Sequence, residues 1–386
     1  MTSRAGNDRP WNPQRQRSGN ERLLLTRLRA GAASRAQLAR DIGLSKPTVS
    51  SALASLEQAG LVREAGILHS EVGRSAVLYA PDPTAGYALG IDVGRSRLRV
   101  ALTDLDGTIV DLADVPNQGY SSAAVSTLVV TTAQQLVATS GIESHKLTHA
   151  ALGTPGVYDA ASRRVRLTQL ASSWDCASLV DDIREGLGVQ LAIHNAANLA
   201  AFGEFTYGAG VGAGSKLFVY VMVDSRPGLG IVSGGSLLTG AHGAAGEIGF
   251  LRGPLGSPEM TWGPCRVGPT SPRDMADEAK AEEIFDAAQR GDAAALQAAE
   301  HEGRRLAHTV AVVAAVLDPD LVVLGSGVGH SVDLLLRSVR VHLRVLSLLA
   351  CTVTPGTLGD QAVLHGAVAT ASDAARDFAF ERRTAG

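Results

Sequence analysis

The chain has 386 residues, of which 45% are apolar and 19% are charged, and its formal net charge at pH 7 is −3. This composition excludes a collagen-like, low-complexity or membrane-embedded chain and is typical of a globular protein of two or three domains. The three cysteines lie far apart, and the Arg- and Asn-rich start lacks the apolar segment of a secretory signal. We therefore expect a cytoplasmic protein with no membrane partner.

The charge is unevenly divided along the chain. Residues 1–80 hold 12 Lys and Arg against 6 Asp and Glu, whereas the remaining residues hold 23 against 32. A basic front end on an acidic body favours a polyanion-binding module attached to a domain with another role. The simpler alternative is a basic tail on an ordinary protein. Residues 1–18 have almost no apolar content, and we predict a disordered basic arm there.

Residues 19–80 show the pattern of a winged helix-turn-helix domain. A first helix follows Asn20, a second begins near Ser34 and ends at Gly43, and "LSKPTVSSALASLEQAG" predicts a third with Ser45 as its N-cap. Two β-prone runs around Gly73 predict a wing. The expected core consists of Leu24, Leu28, Leu38, Ile42, Val49, Leu53, Leu56 and Leu61.

We expect this domain to bind double-stranded DNA, because the N-terminal residues of the recognition helix enter the major groove in this motif. The candidate DNA-binding residues are Arg35, Arg40, Ser45, Lys46, Pro47, Thr48, Ser50, Ser51 and, at the tip of the wing, Arg74. The alternative is a solvated helix face in a small protein-interaction bundle.

The rest of the chain repeats one plan of strands and turns. "YALGIDVGRSRLRVALTDLDGTIVDLADV" predicts three antiparallel strands, and "KLFVYVMVDSRPGLGIVSGGSLLTG" predicts three more. Two copies predict an α/β fold of two lobes around a cleft, which Asp92, Gly94, Gly228, Gly230, Gly325 and Gly327 would face. The predicted parts are a linker (81–86), lobe 1 (87–195), lobe 2 (196–360), a C-terminal helix returning to lobe 1 (361–376) and a tail (377–386).

Several of these stretches together resemble one known family. They are "LSKPTVSSAL" with "GRSAVLY", then "LGIDVG", "GTPGVYD", "NAANLAAFGE", "GAHGAAGEIGF" and "VVLGSGV". From about Asn20 to Ala375 the chain resembles the ROK family, and within it the transcriptional regulators that place a winged helix-turn-helix before a sugar-kinase-like domain. The resemblance implies a two-lobe body of the actin/hexokinase type, which is ribonuclease H-like. We expect a regulator of this kind to bind its operator as a homo-oligomer, and two-fold protein symmetry predicts a palindromic or inverted-repeat site.

The chain departs from the family's kinases where their chemistry takes place. The resemblance puts Ala196 at the position of the catalytic base, an Asp, and His194 at the position of the preceding Glu. A methyl group accepts no proton, so a general base worth about 10²–10⁴-fold in rate is missing. Asp224 and Pro227 stand in a loop that the family keeps glycine-rich for phosphate. We therefore expect no catalytic residue and no nucleotide cofactor.

A further departure concerns zinc. Relatives commonly hold the metal through a His and three Cys, but this chain has Phe250 at the His position and keeps only Cys265. One thiol cannot build a tetrahedral site of N and S ligands, so we expect no metal.

What remains of the family's sugar site could bind an effector. The candidate effector-binding residues are Gly153, Pro155, Gly156, His194, Asn195 and Glu247. Trp174 is a candidate for stacking on a sugar ring or for the core. Three functions stay open at this point: a regulator, most simply a repressor, whose body senses a sugar or other small effector; an ATP-dependent sugar kinase with an attached DNA-binding domain; and a ligand-independent regulator whose body only oligomerises. The basic front end, the helix from Ser45 to Gly60 and the missing base favour a regulator over the kinase, whereas the altered cleft fits the third function as well as the first.

Overall fold

The structure is a computed structural model that describes residues 13–69, 75–94, 96–117, 121–166, 177–223, 228–248, 283–326, 332–346 and 351–384. The chain forms two compact units. The first comprises Met1–Tyr87, Asp104–Asp106 and Ala374–Gly386, and the second comprises Ala88–Thr103 and Gly107–Asp373.

Among its described residues, the N-terminal part of the first unit forms three α-helices and a small antiparallel sheet, and the end of the chain's last helix, from Ala374, belongs to the same unit. The elements are α1 (Pro13–Arg29), β1 (Ala33–Ser34), α2 (Arg35–Ile42), α3 (Lys46–Gln58), β2 (Val62–Leu68) and β3 (Ala76–Pro81), and the strand order is β1-β3-β2. α1 begins at Pro13, so part of the predicted disordered arm is helical. Proline suits a first helical turn, because its missing N–H would have no partner there.

Local capping explains why α2 and α3 begin and end where they do. The Ser34 hydroxyl accepts a hydrogen bond from the Gln37 backbone N–H while the Gln37 side chain accepts from the Ser34 N–H, which is a capping box. Gly43 ends α2 in the left-handed region with φ of 74°. The Ser45 hydroxyl then accepts from the Thr48 N–H and starts α3, as predicted. These caps fix the turn between the two helices.

The predicted core of this unit is largely confirmed. Seven of the eight positions are buried: Leu24, Leu28, Leu38, Val49, Leu53, Leu56 and Leu61. Ile42 is only half-buried, because α2 ends there and its last side chain lies beside the exposed turn at Gly43.

The segment predicted as a linker has structure of its own. Residues Pro83–Ala85 form a 3₁₀ turn in which the Asp82 carboxylate accepts from the Thr84 N–H at 3.0 Å. The Asp82 N–H donates to the carbonyl of Leu61 at 2.9 Å, so this segment is hydrogen-bonded within the first unit.

The second unit contains two five-stranded sheets of the same design. The first sheet is built from β4 (Tyr87–Val93), β5 (Arg97–Asp104), β6 (Ile109–Pro116), β7 (Leu147–Thr154) and β10 (Gln190–Asn195), and the second from β11 (Leu217–Val223), β12 (Gly228–Ser233), β13 (Ser236–Leu237), β14 (Leu321–Ser326) and β15 (Thr352–Pro355). Their orders are β10-β7-β4-β5-β6 and β13-β12-β11-β14-β15. Taken in chain order, both sheets read 3-2-1-4-5 from edge to edge, which confirms the predicted duplication.

The strand directions repeat as well. β5 pairs antiparallel with β6 and β11 antiparallel with β12, whereas β7 pairs parallel with β10 and β14 parallel with β15. A small antiparallel pair, β8 (Val157–Asp159) and β9 (Arg164–Arg166), follows β7.

Helices cover these sheets. They are α4 (Ser122–Ser140), α5 (Ala177–Leu187), α6 (Ala196–Tyr207), α7 (Ala293–Leu317), α8 (Val332–Leu346) and α9 (Ala362–Thr384); residues 283–289 are also helical. α7 and α8 bury an apolar core against one face of the second sheet, and α6 covers the other face. The first residues of α9 pack on β5 through Leu364 and Val368.

Three glycines predicted to face an open cleft are instead packing positions. A Cβ on Gly228 would lie 2.9 Å from the Cβ of Ala197, and one on Gly230 would overlap the backbone of Ala197. A Cβ on Gly325 would overlap the ring of Tyr220. Gly228 and Gly230 let α6 lie directly on β12, and Gly325 leaves room for the ring of Tyr220, so the expectation was wrong for these positions. Gly327 lies outside the described residues.

The C-terminal helix is longer than predicted. α9 continues to Thr384, through most of the segment expected to be a tail, because its alanines and Phe380 form an apolar face that is buried. Among the residues that the structure describes, no helix is long and apolar enough to cross a membrane.

Candidate functional site

The first turn of α3 presents the short polar side chains proposed to read DNA. Lys46, Pro47, Ser50 and Ser51 are exposed, whereas Thr48 is half-buried. The Ser45 hydroxyl lies 2.8 Å from the Thr48 hydroxyl and also caps the helix. Ser45 and Thr48 therefore hold the helix start in place, and Lys46, Ser50 and Ser51 are the side chains left to reach base edges.

The basic residues predicted to contact phosphate have different surroundings. The Arg35 guanidinium lies 5.0 Å from the ring centre of Tyr79 and 3.9 Å from the Glu57 carboxylate. These contacts hold Arg35 against the wing strand β3. Arg40 is exposed in the last turn of α2. Arg74 lies outside the described residues.

The candidate effector residues meet at the ends of β7 and β10. The parallel pairing puts His194 beside Gly153 and Asn195 beside Thr154. The buried Thr154 hydroxyl is within hydrogen-bond distance of the carbonyl oxygens of Gly156, at 2.9 Å, and His194, at 3.2 Å. The sequence analysis did not name Thr154 as a candidate residue, although it named the other three residues of the same "GTPG" turn. This hydroxyl ties the turn of residues 153–156 to β10.

Asn195 is the centre of this cluster. Its side-chain oxygen accepts from the Ala197 N–H at 2.7 Å and caps α6, while its Nδ2 donates to the Glu247 carboxylate at 2.9 Å. Burial raises the pKa of Glu247 to about 7. The loop that carries Glu247 is held to β12, because the Leu229 N–H donates to the Gly246 carbonyl at 3.1 Å. One hydrogen bond thus joins a strand end of the first sheet to a loop of the second.

Three further side chains complete the surroundings. His194 is half-buried and burial lowers its pKa, so at neutral pH its imidazole can donate one hydrogen bond and accept another. Ala196, beside it, contributes no polar atom. Asn198 is 3% exposed, and its Oδ1 has no hydrogen-bond partner within the described part of the chain. Buried polar atoms are usually satisfied, which makes Asn198 a candidate acceptor for a donor supplied by a ligand or water.

Asp92 is engaged inside the protein instead of facing an open cleft. It is 8% exposed and lies 3.7 Å from the Arg99 guanidinium, which also donates to the carbonyl of Asp360 at 2.8 Å and forms an ion pair with the Asp360 carboxylate. Burial raises the pKa of Asp92 to about 6, although the charge of Arg99 opposes the rise. Sequence reasoning missed Arg99 and Asp360, because 261 residues separate them in the chain.

The residues of the family's phosphate loop and zinc site cannot be placed. Asp224, Pro227, Phe250 and Cys265, together with Trp174, lie outside the described residues. Within the described ranges, no group of three His, Cys, Asp or Glu side chains could hold a metal ion.

A helix-turn-helix with a two-stranded wing, joined in one chain to a body of two duplicated α/β halves, fits the architecture that the resemblance to the ROK regulators implies. The comparison with protein families agrees: the ROK family matches residues 88–267 and 270–374, and the DprA winged helix domain matches residues 9–66. The chain belongs to the ROK family.

Individual relatives fall into two groups. The chain is 28% identical to the xylose repressor of Bacillus subtilis over 90% of its own length and 93% of that protein's. It is 27% identical to a glucokinase of Halalkalibacterium halodurans over 67% of its own length and 86% of the enzyme's. Among solved structures, a ROK family transcriptional regulator described as a homologue of the E. coli MLC protein shares the fold at a TM-score of 0.73 and 20% identity, covering 96% of this chain and 98% of that one. The regulators are matched along nearly the whole chain.

Proposed function

We propose that this protein is a DNA-binding transcriptional regulator, a repressor, that uses α3 to read its operator. The observation that carries the proposal is the start of α3, where a capped helix turn exposes Lys46, Ser50 and Ser51 in a unit of the helix-turn-helix type. The net positive charge of residues 1–80 supports it, since phosphate neutralisation supplies much of the affinity for DNA. The likeness to the xylose repressor over nearly the full chain points the same way.

The body acts in this proposal as a binding domain and not as an enzyme. Ala196 supplies no base at the start of α6. The buried Asp92 carboxylate lies 3.7 Å from the Arg99 guanidinium, which engages it inside the protein. A sugar kinase is the second candidate, supported by the glucokinase relatives and by the retained Asp92. Release of ADP from Mg-ATP with a hexose, lost in an Asp92→Asn variant, would establish that candidate.

The effector proposed for the body is a sugar or sugar-like molecule. Asn195, His194 and the partly protonated Glu247 offer hydrogen bonds to neutral hydroxyl groups. The Oδ1 of Asn198, which has no hydrogen-bond partner among the described residues, lies in the first turn of the same helix. An effector would change operator binding only if the two conformations of the protein differ in affinity for it. We further propose a homo-oligomer on a palindromic operator, since two-fold symmetry in such regulators is matched by symmetry in the DNA.

Two experiments test these proposals separately. A bulky residue at Ser50 or Ser51 is expected to weaken binding to the preferred DNA more than to random DNA, and equal losses on both would remove α3 from base recognition. A thermal-shift screen with pentoses, hexoses and amino sugars tests the effector. A true ligand at about 100 times its Kd stabilises the fold by about 2.7 kcal/mol, which is a shift of several degrees. A flat panel would contradict the sugar effector and leave the DNA-binding proposal standing.

A further inference from the structure

The last turns of α9 are part of the first unit. Residues Ala374–Gly386 group with the helix-turn-helix, and within them Ala375, Ala379 and Phe380 are buried. Positions 375 and 379 are one helical turn apart, so with Phe380 they make an apolar face. A solvated tail would not bury an aromatic side chain to 6% exposure. The DNA-binding unit therefore has a fourth helical segment, far from the other three in sequence.

Arg22, in α1, contacts this segment through its guanidinium. The Arg22 guanidinium lies 5.1 Å from the ring centre of Phe380, 3.7 Å from the Asp377 carboxylate and 3.8 Å from the Glu381 carboxylate. Positions 377, 380 and 381 lie on one side of the helix, at spacings of three and four. An exposed ion pair alone contributes little, but three groups that converge on one guanidinium fix the direction in which the two helices cross.

A second contact holds the same segment near the wing. The Arg376 guanidinium donates to the carbonyl of Leu105 at 2.5 Å, and the Leu105 N–H donates to the carbonyl of Pro83 at 3.0 Å. Pro83 belongs to the 3₁₀ turn that follows the wing strand β3. The segment is therefore held at two places, at α1 and beside the end of the wing.

The position of α1 decides the position of the helix that reads DNA. Leu24, Leu25 and Leu28 form the buried face of α1, and α1 packs against both α2 and α3. Close-packed protein interiors transmit a displacement of one helix to its neighbours. A change in the direction of α1 would therefore move the exposed residues of α3 relative to the wing.

We propose that residues 374–381 of α9, which we name the C-terminal brace, position the helix-turn-helix for operator binding, and that Arg22 is the positioning residue on which the brace acts. The inference rests on the proposed function, that the first unit binds DNA. Arg22 itself need not touch DNA. Its guanidinium is directed to the brace, where the aromatic ring and both carboxylates hold it.

The test compares variants of the full chain for binding to the duplex that the wild type prefers and to random duplex, by fluorescence anisotropy at several salt concentrations. Arg22→Ala and Phe380→Ala are expected to weaken binding to the preferred duplex about tenfold, as they would if the fraction of correctly positioned units fell to about a tenth. Arg22→Lys, which keeps the charge and the cation–π contact, should recover most of the affinity. Arg382→Ala, at an exposed position in the same helix, is the matched control and should bind like the wild type.

Salt dependence separates positioning from direct phosphate contact. A lost phosphate contact lowers the slope of log affinity against log salt by about 1, whereas a lost brace leaves the slope unchanged. Unchanged affinity in Arg22→Ala, or a slope lowered by that amount, would overturn the proposal. Because Arg22 is half-exposed, its variants fold even if Phe380→Ala does not.

Hydrogen exchange tests the brace independently of DNA binding. If the wild type shows no preference for any duplex, the proposed function fails, yet the amides of α1 in Arg22→Ala are still expected to exchange faster than in Arg382→Ala. Equal exchange of α1 in the two variants would overturn the brace whatever the DNA result.

Discussion

Replacing Glu247 with Gln should stabilise the protein above neutral pH and leave it unchanged in acid. Burial raises the pKa of this carboxyl from 4.5 to about 7. The folded state therefore holds a proton that the unfolded chain releases, and stability falls as the pH rises from 4.5 towards 7. A difference of about 2.5 pKa units corresponds to at most about 3 kcal/mol, and the remaining exposure of Glu247 reduces this to about 1–3 kcal/mol. Gln keeps the acceptor for Asn195 and carries no charge.

The measurement is the difference in thermal unfolding temperature between Glu247→Gln and the wild type, taken at steps from pH 5 to pH 8. Each kcal/mol corresponds to about 2–4 °C for a domain of 150–250 residues, so the difference should grow by several degrees and level off above pH 7. The contributions of all other titrating groups to the pH dependence cancel in this difference, because both proteins contain those groups. Glu185→Gln, at an exposed position of α5, is the control and should give a flat line. A flat difference for Glu247→Gln as well, or one that shrinks with rising pH, would refute the reasoning.

Three further predictions concern packing, charge and capping. Gly366→Ala should destabilise the body by about 3 kcal/mol or more, because its Cβ would overlap the backbone of α6. Gly19→Ala, where no described atom lies within 4 Å of the added Cβ, should not, and thermal unfolding compares the two. Arg99→Ala should cost about 3–5 kcal/mol by leaving Asp92 buried without its cation, and adding Asp92→Asn should restore most of the loss in the same assay. Ser45→Ala should cost about 1 kcal/mol of stability in the first unit and weaken DNA binding; an unchanged hydrogen-exchange rate in α3 would contradict this.

Local chemistry made much of the fold predictable from the sequence. Ser34, Gly43 and Ser45 are strong helix boundaries because one side chain or one φ angle decides each of them, and the structure has all three. The duplication was also readable, since strand and turn patterns repeat within short windows. The end of α9 was not, because nothing local to Phe380 shows that a helix near the N-terminus will cover it.

In the candidate site, too, some residues were predictable from local sequence and others were not. Gly153, His194, Asn195 and Glu247 were found through motifs, and the structure brings them to one place. The role of Asp92 was misjudged, because its partner Arg99 is held from the far end of the chain by Asp360. Contacts between distant segments depend on tertiary packing that no short window of sequence contains.

Selection of DNA by the full chain from a pool of random duplexes tests the central claim most directly. A regulator that reads bases through α3 should enrich one motif, palindromic in form, and bind it at least about 10³-fold more tightly than random DNA at physiological salt. A Ser50→Trp variant carried through the same selection should lose that enrichment. If the wild type enriches no motif, or binds its selected DNA no more tightly than random DNA, the protein is not a sequence-specific regulator and the account is wrong.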